Sequence, residues 1–293
     1  MKKLLPVSIV SANYNNGLFL TEYFNSIIES NALPSQMCIV DDGSTDNSVE
    51  VIKEFKVIFE SLGITFDLIV FENNQGFGNA LNEALNIVKH EFSLRIDPDD
   101  ILKPQRIDIQ YSFMCKHPLC AVLGSNIEYF LSETKNILRV SAVPLMGNDI
   151  FKTLQAGCIP LIHGSTMFRS DIIKSFKYRQ DKVPAEDYDL FSRIKKANYE
   201  LCNTPDILTS VRVHEASVTN TIPFKTIEKT FLIREEVWSI KFSLFNARRR
   251  FYNQKYYRKY LFSSSNYRFV YFFMAAILWP ESVIRNIKLR LGL

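Results

Sequence analysis

The stretch QMCIVDDGSTDNSVEVIKEFKVIFESLG, residues 36–63, changes its period half-way along. It begins as a short apolar run that ends in two acids. It ends with apolar residues spaced about 3.6 apart, as one face of a helix requires. Between them lies turn chemistry: an Asp-Gly step reverses the chain, and Ser44 or Asp46 can cap the helix that follows. The unit is strand, turn, helix. It is repeated on both sides, with LLPVSIVS leading into LFLTEYFNSIIES, TFDLIVFE into GNALNEALNIVKH, and EFSLRID coming next. Strands alternating with helices build βαβ units, and hence a parallel sheet covered on both faces. The fold class is therefore α/β, a mostly parallel central sheet flanked by helices, with CAVLGSN as a further strand.

Such sheets bind ligands at the carboxyl ends of their strands. The residues there are Asn13, then Asp41 to Ser44, then Asn73 to Gly76, then Asp97 to Asp100, a polar and acid-rich rim. Asp42 can accept hydrogen bonds from a nucleobase, or the whole DDGS can be a plain turn. In DPDD three carboxylates crowd into four positions, either as a solvated turn or around a cation. Pro98 biases Asp97 toward an extended backbone. That orients Asp97 and Asp99 as a D-x-D pair, whose hard oxygens suit Mg²⁺ or Mn²⁺. Asp100 is read as a helix-start or supporting acid. Past Asn126 the strict alternation stops. In AEDYDL the acids Glu186 and Asp187 complement a helix dipole after Pro184, or one of them is a general base. In VRVHEAS, His214 can be a surface or structural histidine, or it can share a face with Arg212 at period two. Arginine suits a diphosphate and histidine a divalent metal. No G-x-x-x-x-G-K-[ST] occurs, and QGFGNA is a fragment of the dinucleotide fingerprint after the wrong strand.

The chain has 293 residues, 47% of them apolar and 23% charged, the balance of a soluble globular protein. Its five cysteines are dispersed without a C-x-x-C pair, which argues against a disulfide framework or zinc and fits a reducing compartment. MKKLLPVSIVSANYNN has too short an apolar run for a signal peptide and reads as the first strand. The net charge of +4 is uneven: residues 246–293 hold ten Lys/Arg and one acid, so the remainder is mildly acidic. That pattern does not point to nucleic acid. The tail's apolar run, Phe269 to Trp279, is eleven residues long, against the roughly 20 needed to span a bilayer. Its basic, aromatic character suits a helix lying on an anionic membrane surface, or a helical pair packed on the catalytic domain or on a partner subunit.

Taken in order, VSIVSANYNNGLFLTEYFNSI, CIVDDGSTDNS, ENNQGFGNALNEAL, LRIDPDD, HGSTMFRSDII, AEDYDLFSRI and VRVHEASVT resemble the family 2 glycosyltransferases of GT-A fold over residues 5–219. The resemblance implies an inverting enzyme of bacterial cell-surface polysaccharide type. It implies a catalytic domain over 1–222, with a nucleotide-binding half 1–100 and an acceptor half 101–222, and a helical extension over 223–293. A UDP-sugar donor would lie across the strand ends, with Ser11 and Asn13 bordering the nucleotide, Asp42 holding the base and Asp41 shaping the turn. Gly76 would allow close approach, and Asn82 is the helix residue of the pattern. Asp97 would contact ribose or metal-bound water. Asp99 would bind Mn²⁺ or Mg²⁺, His214 would be a further metal ligand and Arg212 a phosphate contact. Val211 stands where the family usually has tyrosine. Asp187 would be the base, with Glu186 the less favoured candidate, and His163, Gly164 and Ser165 would lie near the acceptor.

The implied partners are a nucleotide-sugar donor, a lipid-linked saccharide acceptor and a membrane surface met by the tail. The implied location is cytoplasmic, peripheral on the inner face of the membrane. An oligomer is compatible with the sequence. Two other functions make distinct demands. A sugar-1-phosphate nucleotidyltransferase needs a Gly-rich basic loop after strand one, which SANYNNG is not. An inactive scaffold would have lost the metal acids or the base, and both are present.

Overall fold

The computed structural model describes residues 2–145, 147–213, 223–262, 267–281, 283, 284 and 287. The alternation read from the sequence is there: β1 (Lys3–Asn13), α1 (Gly17–Ile28), β2 (Ala32–Asp41), α2 (Ser48–Ser61), β3 (Thr65–Val70), α3 (Phe77–Asn86) and β4 (Phe92–Arg95). The strands are apolar on both faces because helices cover both. Ile9, Met37, Ile39 and Leu94 pack with Leu20, Phe24, Phe55 and Phe59 on the α1–α2 side. Their neighbours Val10, Cys38 and Val40 pack with Ala80, Leu81 and Ala84 of α3 on the other.

Capping differs in detail from the sequence reading. The Asp46 carboxylate accepts from Ser48 N–H at the start of α2 (3.0 Å) and also from Gly17 N–H at the start of α1 (2.9 Å). Ser44 instead donates to Asp41 and accepts from Asn15 N–H. One acid thus serves two helix N-termini, and the two rim loops are tied together.

The second half adds β5 (Ile101–Leu102), α4 (Arg106–Lys116), β6 (Cys120–Leu131), β7 (Ile137–Val140), α5 (Asn148–Gln155), β8 (Met167–Arg169), α6 (Ser170–Phe176), α7 (Glu186–Lys196) and β9 (Glu200–Val213). These strands join the same sheet in the order β3-β2-β1-β4-β8-β6-β9-β5, with β7 paired to β6. The sheet is parallel from β3 to β4 and again at β6–β9, with β8 antiparallel between them. The strand direction reverses where β4 meets β8, which leaves a crevice beyond the end of β4. Asp100 precedes the short strand β5 and not a helix, which corrects its reading as a helix-start acid.

Arg106 fixes that crevice from below. Fully buried, it donates to Gly164 C=O (2.9 Å), Thr209 Oγ1 (2.8 Å), Arg95 C=O (2.7 Å) and Gln110 Oε1 (3.0 Å). Those bonds tie α4 to the end of β4, to the 163–165 turn and to β9. The described residues beyond 222 form three helices, α8 (Phe224–Trp238), α9 (Leu244–Phe262) and α10 (Arg268–Leu278). Glu236 of α8 binds Arg179 and Lys182 beside α7. In α9, Arg249 and Asn253 donate to the C=O groups of Leu278 and Ala275, which pins α10 against it. Among the described residues no helix is long and apolar enough to cross a membrane.

Candidate active site

A cleft of about 710 Å³ opens over the carboxyl ends of the strands. Of the residues singled out in the sequence, Asn13, Asp42, Asp97, Asp99, His163, Gly164, Glu186, Asp187 and Arg212 line it. The structure brings these together from loops more than 150 residues apart. Ser11, Asp41, Gly76, Asn82 and Ser165 are not on its wall, and His214 lies outside the described residues.

Their positions off the wall have local causes. Ser11 sits one pleat below the rim, where its hydroxyl is buried between Tyr23 Oη (2.7 Å) and Ile96 C=O (2.8 Å). Asn82 exchanges two hydrogen bonds with the Tyr178 backbone, both 2.8 Å, so it locks α3 to residue 178. Ser165 is buried against Ile162 C=O and Ser125. Asp41 accepts from Asn13 Nδ2, Ser44 N–H and Ser44 Oγ in its turn. Gly76 has φ +96°, and the place of a Cβ is taken by the Gln180 amide. Gln180 Oε1 accepts from Gly78 N–H (2.8 Å) and so caps α3, a role no local pattern announces.

At the β2 end of the cleft, Asp42 accepts from Gln75 N–H (2.6 Å) and Gly76 N–H (3.0 Å). These bonds pin the loop after β3 over the end of β2. Beside it Asn13 Oδ1 is buried with no hydrogen-bond partner, so this rim retains an unsatisfied acceptor.

The acid turn is more organised than a solvated loop. Ligand oxygens of Asp97, Asp99 and Asp100 lie within 4.8 Å of one another. Arg95, buried at the end of β4, grips both oxygens of Asp97 and lies 5.3 Å from the centre of the Phe77 ring. Burial, then the charges of Asp99 and Asp97, push the Asp100 carboxyl well above its usual range. Asp100 Oδ1 accepts from Arg212 N–H (2.9 Å). The Arg212 guanidinium donates to Asp99 C=O (2.8 Å) and Glu22 (2.7 Å) and lies over Phe19 and Phe130. Its observed work is to hold the acidic turn in place. Sequence reasoning passed over Arg95, although the signal was there: at period two Arg95 and Asp97 share a face.

Gly164 makes the far wall possible. A Cβ there would meet Asp97 Oδ2 at 3.0 Å and Arg95 Nη1 at 3.2 Å, so the turn packs tightly on the pair and a side chain would have to push it aside by a few tenths of an ångström. Next to it His163 shares a 2.7 Å hydrogen bond with Tyr178 Oη. Burial, then Arg95, hold the imidazole well below its usual range, so it is neutral. Glu186 and Asp187 open α7 on the same wall. Burial, and then the neighbouring Asp187 charge, push Glu186 up to about 7. Burial likewise pushes Asp187 up to about 6, against the Tyr188 N–H that bonds its Oδ1 at 2.6 Å and the positive charge of Arg95. Carboxylates that titrate near neutrality in a cleft are suited to taking up and releasing a proton.

Residues 8–176 match the family described as Glycosyl transferase family 2, more than half of the chain. The chain belongs to that family. Among related glycosyltransferases, the amylovoran biosynthesis glycosyltransferase AmsE of Erwinia amylovora is 30% identical over 193 residues, 66% of this chain and 70% of that one. The fold is that of GT-A glycosyltransferases. It is similar to S. aureus TarS 1–349 in complex with UDP-GlcNAc, with a TM-score of 0.62 at 16% identity, covering 100% of this chain and 92% of that one. It is also similar to the mannosyltransferase PcManGT from Pyrobaculum calidifontis in complex with GDP-Man and Mn²⁺, with a TM-score of 0.57 at 14% identity over 93% of this chain and 69% of that one. In this glycosyltransferase the three oxygen donors of the acid turn fit a hard divalent cation. The neighbouring Arg95 already neutralises one of them.

Proposed function

We propose that this glycosyltransferase moves a sugar, with inversion, from a UDP-sugar to a hydroxyl of a saccharide acceptor, itself lipid-linked, and depends on a divalent metal. One observation carries the reading: a single cleft is lined by Asp42, the 97–100 acid turn and the Glu186–Asp187 pair. Asp42 and Asn13 orient the nucleotide base. Asp99, with Asp97 and Asp100, would hold Mn²⁺ or Mg²⁺, which when bound neutralises charge on the departing diphosphate. Asp187 takes the acceptor proton. Its Oδ1 is engaged by Tyr188 N–H, which leaves Oδ2 for that proton. The acceptor oxygen bonds to the anomeric carbon as the bond to diphosphate breaks, and UDP departs. One displacement needs one base and no covalent nucleophile. The UDP-GlcNAc complex of TarS, the GDP-Man and Mn²⁺ complex of PcManGT and the amylovoran biosynthesis named for AmsE support this reading. In a screen of UDP-sugars with Mn²⁺ or Mg²⁺, at least one donor is expected to release UDP faster when saccharide acceptor is added, and chelation should stop it. Release that ignores chelator would remove the metal from the reading.

We also propose that the extension rests on the inner face of the membrane. In α10, Phe273 (63% exposed) and Ile277 (79%) face outward on a strongly basic segment. Burying one such side chain contributes about 1.5–3 kcal/mol. The pair Phe273→Asp and Ile277→Asp should therefore cut sedimentation with anionic vesicles at least about tenfold. Unchanged sedimentation would leave α10 as a packing helix.

A further inference from the structure

One ring nitrogen of His163 bonds to no described residue. The side chain stands half-buried on the cleft wall, next to Gly164, which packs on Asp97 and Arg95. Three rings hold its imidazole: Tyr178 at 5.3 Å between centres, and Phe77 and Phe191 at 6.2 Å each. The backbone is pinned as well, because Thr166 Oγ1 donates to His163 C=O (2.7 Å).

Which nitrogen carries the proton follows from Tyr178. Its phenol is only 4% exposed, and burial pushes it above its usual range, so it keeps its proton. Among the described residues, His163 Nε2 is the one atom bonded to that hydroxyl, at 2.7 Å. A buried O–H without an acceptor loses its hydration and gains nothing in return. The phenol therefore donates, and Nε2 accepts. The imidazole is neutral, so its single proton sits on Nδ1. Nδ1 is not a buried atom, and its N–H opens on the cleft. Asp97, on which the turn packs, is already taken up by Arg95. Tyr178 is itself held from behind, since Asn82 of α3 exchanges two 2.8 Å hydrogen bonds with its backbone. An N–H held in one direction can donate and cannot accept. In a sugar site it meets an oxygen lone pair, on a hydroxyl or on an acetamido carbonyl.

We infer, on the reading of this cleft as the site of sugar transfer, that His163 donates from Nδ1 to an oxygen of a bound sugar and so selects the direction of one ring substituent, with Tyr178 the positioning residue that fixes the tautomer. The contact falls on the sugar of the donor or on that of the acceptor, and the two are separated by titration.

The test is nitrogen NMR of the full chain labelled with ¹⁵N-histidine. Of the four histidines, the His163 signals are those missing from His163→Phe. In free wild type, Nδ1 should carry the proton and Nε2 should be bare. Tyr178→Phe keeps the packing ring and removes only the donor, so the proton should redistribute toward Nε2. A packing role alone would leave it in place. An Nε2–H tautomer in wild type, or an unchanged tautomer in Tyr178→Phe, overturns the part given to Tyr178. With Mg²⁺ present, UDP-glucose, UDP-galactose and UDP-N-acetylglucosamine are then added in turn, and methyl glucoside is added on top of UDP. At least one sugar should shift the Nδ1–H signal beyond the shift from UDP alone, and should bind His163→Phe about fivefold more weakly. A responding UDP-sugar puts the contact on the donor, and responding methyl glucoside puts it on the acceptor. If no sugar shifts Nδ1–H, or His163→Phe binds them all as wild type does, the sugar contact is refuted. Failure of wild type to bind UDP counts against the donor reading instead, and the tautomer of the free protein still decides the role of Tyr178.

Discussion

Asp99→Ala is expected to lower kcat/KM for sugar transfer about 10³-fold while the protein keeps its fold. A metal clamp on a departing phosphoryl group supplies several kcal/mol of charge stabilisation, and about 4 kcal/mol corresponds to three decades in rate. The substitution is mild for the fold. Asp99 is half-buried, and its backbone carbonyl, which accepts from the Arg212 guanidinium, is kept by alanine. Removing its charge also relieves the repulsion that raises Asp100. The thermal midpoint should therefore hold or rise slightly. Asp100 would be the wrong residue to change, because its buried carboxylate receives the Arg212 N–H and its loss would loosen the turn. Turnover within tenfold of wild type, measured with Mn²⁺ across a concentration series, would take Asp99 out of the metal site.

Asp187→Asn should lower kcat by about 10²- to 10⁴-fold, the usual worth of a positioned general base, with little change in KM for the donor. The shape of the side chain is preserved and only its capacity to take a proton is lost. The pH profile sharpens the test. Burial favours the neutral acid and has raised Asp187 to about 6 and Glu186 to about 7. Transfer needs the carboxylate, so activity is present above these values and is lost as pH falls through them. The two carboxyls interact, so the acid limb belongs to the pair. Glu186→Gln should leave the limb near 6, because Glu186, raised to about 7, is already neutral where Asp187 titrates, and should keep kcat within about tenfold of wild type. If Glu186→Gln stops the reaction and Asp187→Asn does not, the two roles are exchanged.

The α/β alternation was legible because each element announces itself locally. The period shifts from about 2 to about 3.6 within residues 36–63, and the strands are apolar on both faces because α1 and α2 cover one side and α3 the other. The rim residues were legible for a related reason: a polar residue directly after an apolar strand has few places to go except the carboxyl edge. Asn13, Asp42, Asp97 and Asp99 reached the cleft by that rule. Ser11 and Asn82 were named by the family resemblance and not by that rule: Ser11 sits one pleat lower, bonded to Tyr23 Oη, and Asn82 bonds the backbone of Tyr178, nearly a hundred residues on.

What the sequence by itself determined was the wound α/β sheet and the order of polar groups along its edge, since both follow from short-range spacing. The tertiary structure alone decided how charge is distributed there. It set Arg95 on Asp97, left Asp100 buried among like charges, raised Glu186 and Asp187 toward neutrality and brought Arg258 of α9 to the cleft. The reason is that burial and Coulomb energy depend on distances in space. Those distances are set by how remote segments pack, and no local pattern carries that information.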